Sequence, residues 1–268
     1  MLNRQEEKIK EYFDSTCESY TFASRAKPGD SLRSFIFSIR KAHILDMCKD
    51  GRGNLLDIGC GPAVLTEDLL RIGYKYYGVD ISPQMIERAN SFIPHNSYSD
   101  RCKFSVQRGE RLDFPDNFFD CVLCIGVIEY LQDDSLILAE IKRVLKPLGK
   151  LILSVPNLAS PFSLLDKTAS VVIKTTLNLF KINPAFSRER LTFRTDIRDK
   201  YYFPGNLDRK LAGEGFIIEE RRFHAFRIAM LNAILPRLSL LLARKSEMLS
   251  DSPLRMLGTN YIVKARKA

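Results

Sequence analysis

Residues 54–63 read Asn-Leu-Leu-Asp-Ile-Gly-Cys-Gly-Pro-Ala. The first half is an apolar run of strand length, the second is a turn holding two glycines, and a helical pattern follows over 62–73. Strand, glycine turn, helix is the arrangement in which a backbone closes tightly on a ligand. A Cβ at Gly59 or Gly61 would occupy the space that a ligand needs.

Outward from this stretch, short apolar runs alternate with helical patterns. YYGVD (76–80), KFSVQ (103–107), DCVLCIG (120–126) and KLILSVP (150–156) read as strands. Residues 62–73, 82–93 and 133–149 read as helices, with Pro62 and Pro83 in first turns and Gly149 closing the last helix near Lys146. Such alternation predicts an α/β fold, a Rossmann-like parallel sheet with helices on both faces. Two amphipathic helices, 3–24 and 31–49, precede the first strand and delimit an N-terminal helical cap over residues 1–50. Residues 51–268 then form the main domain. It carries two insertions, 158–205 (with an expected helix over 162–180) and 224–257, separated by a short helix (207–215) and the strand FIIEERRF (216–223). NYIVKARK (260–267) is the last strand.

Composition excludes several classes. With 45% hydrophobic and 27% charged residues the chain is not globally disordered. The longest apolar stretch, 228–243, is broken by Asn232, Pro236 and Arg237 and falls short of a membrane span. Six scattered cysteines and a charged opening segment without an apolar leader point to a reducing, cytoplasmic setting rather than a disulfide framework. Cys121 and Cys124 form a C-x-x-C, but on a strand they face opposite sides, so they read as core residues and no metal is expected. The net charge of +9 is concentrated late: residues 158–268 hold 20 of the 41 Lys and Arg but only 10 of the 32 Asp and Glu. That excess suits an anionic partner or a solvated basic face.

The ligand class follows from two further positions. Asp80 ends the strand after the glycine turn, where a carboxylate can accept both hydroxyls of an adenosine ribose. A dinucleotide loop would carry a third glycine at position 64, and Val64 stands there. Asp57, just before the turn, suits a cationic amino-acid group better than a phosphate. These features favour S-adenosylmethionine (SAM) over a dinucleotide.

DIGCGPA, GVDIS, FPDNFFDCV and EIKRVLKPLGKL, in that order, together resemble class I SAM-dependent methyltransferases, notably the small-molecule branch with quinone and lipid methyltransferases. The resemblance is close over residues 54–157. It implies a seven-stranded sheet whose last strand is antiparallel, a SAM cofactor and the product S-adenosylhomocysteine (SAH). By position it implies that Asp57, Gly59 and Gly61 face the amino-acid part of SAM and Asp80 the ribose. Ile81 flanks the adenine, Gly109 and Glu110 hold its edge, Gly126 to Tyr130 line the methyl-transfer end, and Tyr20 of the cap closes over the cofactor. The chain departs from the family pattern at Arg108, where relatives commonly carry Asp, and at Tyr130, where many have His. The catalytic candidates are therefore Tyr130 and His224, with His43 and His95 behind them.

Both insertions mix apolar runs with Lys and Arg, which fits a lid, an apolar acceptor or peripheral contact with a membrane. A small-molecule acceptor, apolar or quinone-like, leads. A nucleic-acid methyltransferase is the alternative suggested by the basic C-terminal part. IGVIEYL after the fourth strand lacks the signature of enzymes acting on planar amino groups, and no RNA-binding motif is visible. A SAM-binding regulator without catalysis is the third reading.

Overall fold

The computed structural model describes residues 4–92, 99–166, 168, 200–227 and 229–268. His95 and most of the helix expected over 162–180 lie outside these residues.

Helix α1 (Arg4–Arg25) leads through a turn to α2 (Leu32–Cys48). Ser31 caps α2: its hydroxyl accepts from the Ser34 N–H, while the Ser34 hydroxyl accepts from the Ser31 N–H. Then come β1 (Gly53–Ile58), α3 (Thr66–Ile72), β2 (Tyr74–Asp80), α4 (Pro83–Ser91), β3 (Cys102–Val106), β4 (Phe119–Ile125), α5 (Asp134–Val144) and β5 (Leu145–Pro156). A helical segment at 161–166 (α6) follows β5. The chain ends with α7 (Pro204–Gly213), β6 (Phe216–His224), α8 (Ala229–Ile234), α9 (Pro236–Ser246) and β7 (Asn260–Lys267).

The seven strands lie in the order β3-β2-β1-β4-β5-β7-β6. Strands β1 to β5 pair in parallel, and β7 runs antiparallel between β5 and β6. This is the expected sheet with its antiparallel last strand. The chain order reverses at β1, which sits between β2 and β4. In such sheets the reversal opens a crevice at the carboxyl ends of the strands, where ligands bind.

Apolar clusters form on both faces of the sheet. One gathers Leu56, Ile58, Val122, Cys124 and α5, the other Leu55, Tyr76, Cys121, Leu123 and α2. Cys121 and Cys124 fall in different clusters and are fully buried, as strand alternation requires.

Two expected boundaries move. The helix expected to reach Lys146 and stop at Gly149 ends instead at Val144, and Leu145 is already extended at φ −71°, ψ 135°. Pro147 explains this, because a proline disfavours the helical conformation in the residue before it and removes an N–H from the ladder. The left-handed backbone falls on Leu148 (φ 63°), outside any helix cap. Pro62 likewise lies in the turn before α3 rather than in its first turn, since Ala63 has φ 55° and helical geometry begins at Thr66. Pro83 is the first residue of α4, with the Ser82 hydroxyl accepting from the Met85 N–H.

Candidate functional site

The glycine turn is fastened to β2 by its own backbone. Gly59 and Cys60 both donate to the Val79 carbonyl, at 2.8 and 3.0 Å. Gly59 has φ +71°, and a Cβ there would stand 2.4 Å from Cγ2 of Val127. A side chain is therefore excluded by conformation and by space.

Asp80 stands at the carboxyl end of β2, 8% exposed. Its Oδ2 accepts from the Gly61 N–H and its Oδ1 from the Ser82 N–H, both at 2.9 Å. Burial pushes its pKa up to about 6 despite these two bonds. Each carboxylate oxygen has two lone pairs, so acceptor capacity remains for a ligand.

Around this pair runs a cleft of about 760 Å³, counting its mouth. Its walls include Gly59, Gly61, Asp80 and Ile81 from the first two strand ends, Gly109 and Glu110 after β3, Gly126 and Tyr130 after β4, and Tyr20 from α1. Nine of the eleven residues singled out in the sequence thus meet around one space, drawn from five separate segments.

The two others lie elsewhere. Asp57 is buried beneath the turn, where its Oδ2 accepts from the Tyr76 hydroxyl at 2.5 Å. Burial raises its pKa to about 7, with the Tyr76 bond and Arg40 opposing and Asp80 adding. Asp57 is not among the residues that line the cleft. His224 ends β6 outside the cleft lining, fully buried, and neither ring nitrogen has a hydrogen-bond partner among the described residues. Burial, then His43 and Arg40, hold its pKa well below the ordinary value. It is a neutral ring packed 5.6 Å from His43, and this placement does not support a catalytic part for it.

Helix α1 roofs the cleft. Ile9, Phe13 and Tyr20 face inward, and Phe13 meets Tyr130 edge to face with ring centres 5.7 Å apart. The helix is pinned at several points. Gln5 Nε2 donates to the Tyr130 carbonyl at 2.7 Å, the Ser82 hydroxyl donates to Asp14 at 2.5 Å, and Arg25 donates to the Pro62 carbonyl at 3.2 Å. Glu6, buried in the first turn, forms an ion pair with Arg108 in the loop after β3.

Sequence reasoning missed two charged groups. Glu6 lines the cleft. Arg40, on α2, brings its guanidinium to 3.6 Å from where a Gly126 Cβ would stand, with Glu129 Oε1 at 3.4 Å from the same point. No spacing rule marks either residue, because each acquires its role by packing across the fold rather than from its sequence neighbours.

Residues 56–153 match the family model described as a methyltransferase domain. This segment is similar to a methyltransferase domain. The domain's sterol 4-C-methyltransferase relative from Caenorhabditis elegans is 32% identical over 145 residues, covering 54% of this chain and 42% of that protein. A ubiquinone biosynthesis O-methyltransferase of Xanthomonas oryzae is 33% identical over 104 residues, 38% of this chain and 43% of that one. The chain therefore spans well under two thirds of the length of these curated relatives. Among solved structures, magnesium protoporphyrin IX methyltransferase from Synechocystis, solved with SAH, aligns over 97% of this chain and 98% of its own, with a TM-score of 0.63 and 16% identity. A [4+2]-cyclase aligns with a TM-score of 0.61 at 17% identity, over 97% and 94%. At such identities the likeness shows the fold alone, a seven-stranded, mostly parallel Rossmann-like sheet.

Proposed function

We propose that this chain is a SAM-dependent methyltransferase acting on an apolar small molecule of the quinone or sterol kind. The observation that carries the reading is the cleft itself. Asp80, with acceptor capacity left, stands between a side-chain-free glycine floor and a loop-lined pocket, all beneath the apolar face of one amphipathic helix. The matched relatives act on sterol and ubiquinone precursors by name, and this supports the acceptor class.

The residues fit the cofactor. Asp80 would receive the ribose hydroxyls. Gly126, at φ +70°, holds its backbone beside the Arg40 guanidinium and Glu129 Oε1, a charge pair that suits a zwitterionic amino-acid group, with Arg40 toward its carboxylate. When bound, SAM supplies a methyl group already activated by its sulfonium. The chain's part is to align and to exclude water. Ile9, Phe13 and Tyr20 close the roof, and Tyr130, buried against Phe13, is the polar side chain that would meet the acceptor.

Peripheral membrane contact belongs to the same reading. Helix α9 buries Ser239 and Ala243 and exposes Leu238, Leu241 and Leu242 beside Arg237, Arg244 and Lys245. An apolar row flanked by cations fits the interface of an anionic bilayer, where an apolar acceptor would dissolve. No described helix is long and apolar enough to cross a membrane.

The test incubates the full chain with methyl-labelled SAM and a total cell extract, with Asp80→Ala as control, and partitions the label. Label in the organic phase that disappears with Asp80→Ala is the expected result. Label in nucleic acid overturns the acceptor class, and SAM binding without label anywhere overturns catalysis.

A further inference from the structure

The loop after β4 is too short to hold its own shape. Ile128–Tyr130 form a single 3₁₀ turn, in which the Tyr130 N–H donates to the Val127 carbonyl at 3.1 Å and the Leu131 N–H to the Ile128 carbonyl at 3.2 Å. One such turn has too few bonds to offset the ordering of its backbone. Val127, Tyr130 and Leu131 nevertheless line the cleft, so the shape of this loop decides where Tyr130 stands.

Two distant segments impose that shape. From α1, Gln5 Nε2 donates to the Tyr130 carbonyl at 2.7 Å. From the end of the insertion over 158–205, the Lys200 N–H donates to the Glu129 carbonyl at 2.8 Å and the Lys200 ammonium to the Gln132 carbonyl at 2.6 Å. The Tyr202 hydroxyl lies 3.2 Å from the Ile128 carbonyl and 3.0 Å from Asp134 Oδ2, two acceptors that share its one proton. Burial, then Asp134, push the Tyr202 pKa up, so the hydroxyl remains a donor at any ordinary pH. Lys210 pairs with the same Asp134 carboxylate. Tyr202 is itself fixed to the end of β5: its N–H donates to the Pro156 carbonyl at 3.0 Å, and its carbonyl accepts from the Leu158 N–H at 2.9 Å.

We infer that Tyr202 and Lys200 are positioning residues for methyl transfer, which hold the loop so that Tyr130 stands where cofactor and acceptor meet. The inference rests on the methyltransferase reading above. Neither residue lines the cleft, so both act on transfer through the loop alone. Because α1 holds the same loop through Gln5, the roof and the insertion meet on it, and a shift in either one moves Tyr130.

The test follows label from methyl-labelled SAM into the organic phase of a total cell extract, with SAH affinity measured beside it by calorimetry. Tyr202→Phe keeps the ring and removes the donor. Its SAH affinity and apparent KM for SAM are expected within about threefold of the unsubstituted chain, while transfer at saturating SAM slows by about tenfold or more, the scale of a small misplacement near the reacting atoms. Lys200→Met removes the second side-chain donor and is expected to show the same split more weakly; it carries the test if Tyr202→Phe does not fold. Affinity and rate lost in parallel would make these residues structural props, and an unchanged rate would make them bystanders; either result overturns the inference. An unsubstituted chain that transfers no label overturns the methyltransferase reading itself, and this inference with it, before any variant is compared.

Discussion

The Asp80 carboxylate accepts the Gly61 backbone N–H at 2.9 Å, which joins the end of β2 to the turn that follows β1. One residue thus shapes the glycine turn and offers acceptors to the cleft. Asp80→Ala removes both functions. SAH affinity is expected to fall by about 100-fold, as for two hydrogen bonds to a charged group. Titration calorimetry measures it, and affinity within about threefold of the unsubstituted chain would exclude Asp80 from the ribose site.

The same carboxylate makes binding sensitive to pH. Its pKa is pushed up to about 6 by burial. Below that value it carries a proton and loses acceptor capacity, so SAH affinity is expected to decline as pH falls through 6. In Asp80→Asn the same titration over about pH 5 to 8 should be flat. An unchanged slope in the variant would assign the titration to another group.

Asp57 contributes in the opposite sense to stability. Burial places its folded pKa near 7, above the ordinary carboxylate value of about 4. The folded chain then holds its proton more tightly than the unfolded chain. That stabilisation is complete below about pH 4 and is lost as pH rises through 7. Asp57→Asn keeps an oxygen for the Tyr76 hydroxyl and carries no charge. Its melting temperature should match that of the unsubstituted chain near about pH 4 and exceed it by a growing margin up to about pH 7 and above. A constant difference across that range would contradict the buried, proton-holding carboxyl.

Gly59→Ala puts a methyl group at φ +71° and 2.4 Å from Val127 Cγ2. Strain and overlap together should cost about 1–3 kcal/mol in urea unfolding. Gly126→Ala also has positive φ, but its Cβ would meet only Arg40 and Glu129 at 3.6 and 3.4 Å. It is expected to weaken SAH more than Gly59→Ala does while melting closer to the unsubstituted chain. The reverse order would place the functional space on the wrong side of the floor.

Those residues also mark how far sequence could be read. The glycine turn, Asp80 and the strand alternation are local: each depends on a few adjacent residues, and backbone geometry carries them to the site. The antiparallel β6–β7 ending was legible through the family resemblance rather than from alternation, since FIIEERRF and NYIVKARK do not alternate cleanly. The burial of Asp57 was not legible, because a strand residue beside the turn can point at a ligand or into the fold, and its bond from Tyr76 on the neighbouring strand is a long-range contact. Glu6 and Arg40 were invisible for a different reason. They sit on helices 1.5 Å per residue in rise, far from the turn in sequence, and only the docking of α1 and α2 on the sheet brings them to the cleft.

The exposed row on α9 yields the remaining prediction. Anionic vesicles should bind the full chain, neutral vesicles should bind it weakly, and high salt should release most of it, because the contribution of each surface cation is about 1 kcal/mol and is screened. Leu238→Ser with Leu241→Ser removes apolar side chains that are 42% and 50% exposed. Neither packs in the core, so the melting temperature should hold while vesicle co-sedimentation falls. Arg237→Gln with Lys245→Gln should weaken binding and flatten the salt sensitivity of what remains. If the serine pair leaves co-sedimentation unchanged, α9 is not the contact, and the apolar row is better explained as a surface that this chain covers with its own residues.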